Sequence, residues 1–254
     1  MIKRFLIPYC YLYESRILSL KKMINYCFDN IFFLFIPLFY FKINILLFIL
    51  SNIVIMLSYE FGYMYNDTIT IEKEKNPTIR LEQKKIVEIR KNIYKYFWLK
   101  KFFQIVMLAV LTYVYSHKFN FINSLIIIII LDCVYYLHNN NRNLINILTY
   151  FLLLMIRYNG AFFMLNLSKE EYYYILFYTF AIKVLKRTIE FLTKDRFKFF
   201  GARTIEKISD RRFTYTYFLF LFVLSICMKL ELFYYFFLYQ VIFITMIKNN
   251  KYIK

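Results

Sequence analysis

The chain has 254 residues, of which 61% are hydrophobic and 23% aromatic, with three Gly, three Pro and a mean hydropathy of +0.47. That is more apolar surface than one water-soluble core of this size hides, so a soluble globular fold is excluded and a lipid bilayer is the expected solvent. The formal charge of +18 points to nucleic acid only when the charges share one folded surface; here they lie between apolar runs, and no nucleic-acid partner is expected.

The chain opens Met1-Ile2-Lys3-Arg4, and Glu14, Arg16, Lys21 and Lys22 interrupt any apolar leader, so no cleaved signal peptide is expected. Residues 1–22 read as a cytoplasmic segment. Apolar runs then predict helices at Met23 to Phe41, Ile43 to Tyr65, Phe97 to Ser116, Phe119 to Leu137, Leu144 to Leu165, Tyr172 to Leu192, Phe213 to Met228 and Leu230 to Ile247. The expected fold is all-α: one integral-membrane domain over residues 1–254, a polytopic bundle of about eight helices with cytoplasmic loops at 66–96 and 193–212. With the N-terminus inside, 29 of the 34 Lys and Arg fall in the N-terminal segment, Asp67 to Lys101, His138 to Asn143, Lys183 to Arg212 and the C-terminal tail, all inside, and the outside turns hold only Lys42, Lys118, Lys169 and Lys229. That asymmetry puts both termini in the cytoplasm and explains the charge runs as topology and headgroup contact. Cys10, Cys27, Cys133 and Cys227 have no CxxC spacing and read as reduced packing residues. The wealth of Ile, Phe, Tyr, Lys and Asn fits an AT-rich coding bias, so aromatic richness marks no site.

Two stretches at helix ends carry chemistry-bearing residues. After the second helix, Asp67, Thr70 and Glu74 share a face if the helix continues, with Asn66 beside it, followed by Lys75, Pro77 and Arg80. Hard oxygen ligands at that spacing suit Mg²⁺ shared with a phosphate, whose remaining charge Lys75 and Arg80 would meet. A solvated helix end explains the stretch equally well. At the end of the sixth helix, Lys186 and Glu190 stand four apart, which an intrahelical ion pair also explains. Within the spans, Glu60, Asp132 and Arg157 are costly in lipid and therefore functional candidates; Arg157 either meets a phosphate or ties to Asp132 or Glu60. His138 reads as a capping or headgroup residue.

Together these stretches resemble the UbiA superfamily of intramembrane prenyltransferases. The family's first motif, N-D-x-x-D-x-x-x-D followed by K-P or N-P and an Arg, is similar to Asn66, Asp67, Glu74, Pro77 and Arg80; its second, K-x-x-x-D, is similar to Lys186 and Glu190. Between them, Tyr136-Leu137-His138, Arg157 and Gly160-Ala161 follow the family's order, and the resemblance covers residues from about 43 to 192. Three features depart from the pattern: Thr70 stands at the second Asp, Glu74 lies closer to Pro77 than is usual, and eight helices are counted against the family's nine.

The resemblance implies Mg²⁺ held by Asn66, Asp67, Glu74 and Glu190, with Arg80, Arg157, Lys186 and Arg187 on phosphate and Asp67, Lys186 and Glu190 as catalytic residues. It implies a transferase of the bacterial inner membrane that uses a polyprenyl phosphate or diphosphate. The run Lys186-Arg187-Thr188-Ile189-Glu190-Phe191 is most similar to the polyprenyl-phosphate phosphoribosyltransferases, of the decaprenylphosphoryl-ribose synthase type, whose product serves surface glycan synthesis. The alternatives are polyprenyl transfer to an aromatic, quinone-type acceptor and a noncatalytic transporter or scaffold.

Overall fold

The computed structural model describes residues 2–73, 79–141, 143–192 and 211–249. Every one of the eight predicted apolar stretches is helical there, and the one pairing of extended backbone among the described residues is an isolated antiparallel bridge between Phe119 and Leu165. Five stretches are long and apolar enough to cross a membrane: Lys22–Tyr40, Ile45–Glu72, Ile93–Val114, Phe121–Asn140 and Ile145–Phe163. The chain divides into two compact units, Met1–Met23 with Asn44–Tyr172, and Ile24–Ile43 with Tyr173–Lys254.

In chain order the helices are α1 (Leu20–Asn30), α2 (Phe35–Tyr40), α3 (Ile45–Thr68), α4 (Gln83–Lys91), α5 (Ile93–Val114), α6 (Phe121–Asn140), α7 (Ile145–Phe163), α8 (Lys169–Thr179), α9 (Leu185–Leu192), α10 (Arg211–Met228) and α11 (Glu231–Asn249). A 3-10 turn, Phe32–Leu34, separates α1 from α2, which places Pro37 in the first turn of α2, where its missing N–H costs nothing. Side-chain caps fix other starts. Asn44 and Asn120 accept from the backbone N–H of Leu47 and Asn123 at 2.9 Å each, opening α3 and α6. Ser168 and Glu171 exchange bonds as a capping box before α8.

The first unit gathers α5, α6 and α7 around α3. Two glycines let helices approach closely: a Cβ on Gly62 would sit 2.4 Å from the Tyr135 ring, and one on Gly160 3.0 Å from Ile55. The N-terminal segment, read from sequence as cytoplasmic, packs on the unit as a 3-10 turn (Ile2–Leu6), one α turn (Cys10–Leu12) and a π turn (Tyr13–Ile17). Phe5 and Tyr11 join Met64, Ile86, Ile89 and Tyr96 in one apolar cluster that covers the C-terminal end of α3 and the start of α5. Burying each such side chain from water is worth roughly 1.5–3 kcal/mol.

The expected third helix starts four residues earlier than predicted, at Ile93. Lys95, read from sequence as part of a cytoplasmic loop, therefore lies in α5 together with Lys100 and Lys101. Lys100 is the instructive case. At 1% exposure its ammonium needs a counter-charge, and Glu60 of α3, itself 0% exposed, supplies it at 3.1 Å.

In the second unit α8 continues through a π turn (Phe180–Val184) into α9 without a break. Its core is aromatic: Tyr178 packs edge-on to Phe233 and Phe236 and donates to the Phe33 carbonyl at 3.0 Å. Tyr40 and Glu231 join at 2.8 Å, and Lys42 and Lys229 both adopt left-handed backbone at helix ends.

Candidate functional site

Asp67 is the centre of the first unit's polar chemistry. It sits in the last turn of α3, 2% exposed, and no fewer than four groups converge on it. Arg16 grips both oxygens, Nη1 to Oδ2 at 2.8 Å and Nη2 to Oδ1 at 3.2 Å; Arg80 donates to Oδ1 at 2.9 Å, and the Tyr11 hydroxyl to Oδ2 at 2.9 Å. The fourth donor is Asn66, Nδ2 to Oδ1 at 3.4 Å.

Thr70 is a buttress in this arrangement. Its hydroxyl donates to the Asn66 side-chain oxygen at 2.9 Å and to the Asn66 carbonyl at 3.1 Å. The α-helix closes at Thr68 and a 3-10 turn runs Thr70–Lys73, so the α-helical face expected to carry Asp67 and Thr70 together ends between them. Glu74, Lys75 and Pro77 lie outside the described residues.

A second arginine system joins this one through Tyr63. The Arg16 guanidinium stacks on the Tyr63 ring, 3.9 Å from its centroid, and Arg157 Nη1 donates to the Tyr63 hydroxyl at 3.2 Å. Three guanidiniums, Arg16, Arg80 and Arg157, are thereby linked around the single Asp67 carboxylate. The other two intramembrane acids are committed to lysines: Glu60 to Lys100 as above, with the Leu12 backbone N–H at 3.1 Å, and Asp132 to Lys101, whose Nζ also donates to Ser58 at 3.0 Å. Arg157, expected to meet a phosphate or to tie to Asp132 or Glu60, joins the Asp67 cluster through Tyr63, and Glu60 and Asp132 pair with lysines.

Burial first, and then the neighbouring Asp67 charge, push the Tyr11 phenol well above its ordinary range, so it stays a neutral donor. For Arg16, burial is the largest single influence and pulls downward, but Asp67, Tyr63 and Tyr11 together outweigh it and the guanidinium is held above its ordinary value.

The second unit holds the other predicted residues. Lys186 Nζ lies 3.2 Å from Glu190 Oε1, and Arg187 Nη1 lies 3.1 Å from Glu190 Oε2, both on α9. Arg187 also pairs with Asp29 of α1, which receives Lys183 Nζ at 2.6 Å. Lys183 and Asp29 were missed from sequence. An Asp in an otherwise apolar helix is the signal that marks Asp29. Lys183 stands three and four residues before Lys186 and Arg187, on the π turn that rotates its side chain onto Asp29.

The described residues do not by themselves make a Mg²⁺ site. Both Asp67 oxygens carry guanidinium and phenol donors, Glu190 carries Lys186 and Arg187, and among the described residues no three acidic, His or Cys side chains converge. What the first unit shows is one carboxylate, Asp67, held by two guanidiniums, with Arg157 joined to one of them through Tyr63. Comparison with known proteins returns no match to a family model, to a curated protein or to a solved structure.

Proposed function

We propose that the protein is a membrane-embedded transferase of the UbiA type that works on a polyprenyl phosphate. In this reading it has eight spans and cytoplasmic termini in a bacterial inner membrane, and the reaction is phosphoribosyl transfer for surface glycan synthesis. The observation that carries it is the linkage of Arg16, Arg80 and Arg157 around Asp67, at the end of the helix where the resemblance places the first motif. Arg80 gives one N–H to Asp67 and keeps the rest of its donor fork for an anion, while Asp67 holds Arg16 and Arg80 in position before a phosphate arrives. Guanidiniums fixed in advance at a site where diphosphate charge develops lower the barrier to its departure.

In the phosphoribosyl reaction the anomeric C–O bond of phosphoribosyl diphosphate breaks, diphosphate leaves with the electron pair, and a polyprenyl phosphate oxygen forms the new bond. The second unit's Lys186 and Arg187, with Glu190 as their partner, supply further phosphate contacts under the same proposal. Mg²⁺ dependence belongs to it as well, with Asn66, Asp67, Glu74 and Glu190 as the ligands the resemblance implies. One observation favours the rival reading of a noncatalytic membrane protein: each described acid of the two stretches is already neutralised by cations.

The test is transfer of labelled ribose phosphate from phosphoribosyl diphosphate to polyprenyl phosphate by the purified protein in detergent. It is run with and without Mg²⁺, beside Asp67→Ala and Glu190→Ala. Labelled lipid that requires Mg²⁺ and falls at least about 100-fold in both variants supports the proposal. Folded protein that makes no product removes the phosphoribosyl assignment, and product from labelled polyprenyl diphosphate and an aromatic acid replaces it with aromatic prenylation.

A further inference from the structure

In the first unit, α4 and the first turn of α5 turn Ile86, Ile89, Ile93 and Tyr96 to one apolar cluster. Their other side is exposed and carries Lys84, Val87, Lys91, Tyr94, Lys95 and Trp98. Lys84, Val87 and Lys91 follow one another at spacings of three and four on α4, and Tyr94 and Trp98 stand four apart on α5, so each set shares a helix face. The remaining cations of α4 are committed inward: Lys85 to Glu14 at 3.3 Å, and Arg90 to Glu72 and to the Thr68 carbonyl at 2.8 Å. Lys84, Lys91 and Lys95 pair with no described residue, and they outnumber the two acids of the stretch, Glu82 and Glu88.

This face changes character at Trp98. Beyond Lys101, α5 has no further charged residue, and its exposed side chains, Phe102 and Ile105 among them, are those of a helix turned to lipid. Tyr94 and Trp98, 80% and 69% exposed, stand between that apolar surface and the lysines, the position amphipathic rings take at headgroup level. Val87, 54% exposed, places apolar surface between Lys84 and Lys91 themselves. A partner for such a face must be negatively charged and apolar at the same depth, and a bilayer boundary that contains anionic lipid is both.

We infer that the outward face of α4 and the start of α5 docks on anionic phospholipid headgroups, with Lys84, Lys91 and Lys95 on the phosphates and Val87, Tyr94 and Trp98 at the boundary between headgroups and acyl chains. Each unpaired lysine at the surface draws anionic lipid toward it, and the rings hold the helices at the depth where that attraction acts. Charge asymmetry predicts the side of the membrane on which this face lies; the face itself selects the lipid that adjoins Trp98. The surface is independent of the phosphate chemistry proposed for the Asp67 cluster.

Trp98 is the chain's only tryptophan and so reports on its own lipid neighbours. The full-length protein is reconstituted in two sets of vesicles of identical composition, phosphatidylcholine with a minor share of phosphatidylglycerol. In one set the phosphatidylglycerol carries brominated acyl chains; in the other an equal amount of the phosphatidylcholine does. The expected result is Trp98 emission quenched about twofold or more strongly when the bromine is on phosphatidylglycerol, with the difference shrinking at high salt. Joint substitution Lys84→Gln, Lys91→Gln and Lys95→Gln should bring the two sets to parity while leaving the thermal unfolding midpoint in place, because all three side chains are exposed. Equal quenching of the unsubstituted protein in the two sets, quenching in neither, or a preference for phosphatidylglycerol that survives the triple substitution would overturn the assignment.

Discussion

The pairing of Asp67 with Arg80 was within reach of the sequence because the two are close along the chain and oppositely charged. Arg16 was not, because it stands 51 residues from Asp67 and meets it only through the folding of the N-terminal segment. Glu60 was legible as an intramembrane acid; its partner Lys100 was not, because it stands 40 residues away on another helix. Because the pair is buried on both sides, Glu60→Leu alone strands an ammonium and should cost about 3–5 kcal/mol, whereas Glu60→Leu with Lys100→Met should recover most of it. Denaturant titration in mixed micelles reads both; a double variant no more stable than the single would contradict the pairing. Burial of the Tyr11 phenol, with the Asp67 charge beside it, contributes a pH response. With the folded-state phenol raised, the unfolded chain loses its proton first, so stability holds through neutral pH and falls as pH rises above the ordinary tyrosine range near about 10. Tyr11→Phe should remove that alkaline contribution in a pH series of unfolding midpoints.

At the scale of elements, the eight helical stretches were readable because lipid demands runs of apolar residues whatever else the sequence does. Their ends were less so, since Lys and Tyr near an interface extend a helix as readily as they terminate it; α5 begins at Ile93, with Tyr94 and Lys95 in its first turn. The N-terminal segment was the larger surprise. Its mixture of charged and aromatic residues has no single period, because three different turn types follow one another there. Its anchor is Phe5, which touches Tyr11 and Tyr96 at centroid distances of 5.6 and 6.4 Å. Phe5→Ala should therefore cost about 3–5 kcal/mol and loosen Arg16 from Asp67. Protection of the residue 10–17 amides in hydrogen–deuterium exchange should drop with it, and unchanged protection would show that the segment is held by other contacts.

For the whole molecule, composition alone indicated an all-helical chain suited to a bilayer, and five described helices are long and apolar enough to cross one. Charge asymmetry predicts the orientation. Thiol labelling in intact cells should leave single-cysteine variants at Lys84 unmodified by an impermeant reagent and modify those at Lys118. Function was the least readable level, because two short stretches carry the resemblance and their carboxylates hold cations in the structure. The arginine cluster around Asp67 converts that difficulty into a definite claim, that the first unit receives phosphate. Equilibrium binding of labelled phosphoribosyl diphosphate to the detergent-solubilised protein, compared with Arg16→Gln and Arg80→Gln, tests it apart from turnover. The account predicts saturable binding weakened about tenfold or more by each substitution, the loss of one charge-assisted contact; binding that is absent, or indifferent to both arginines, would contradict it.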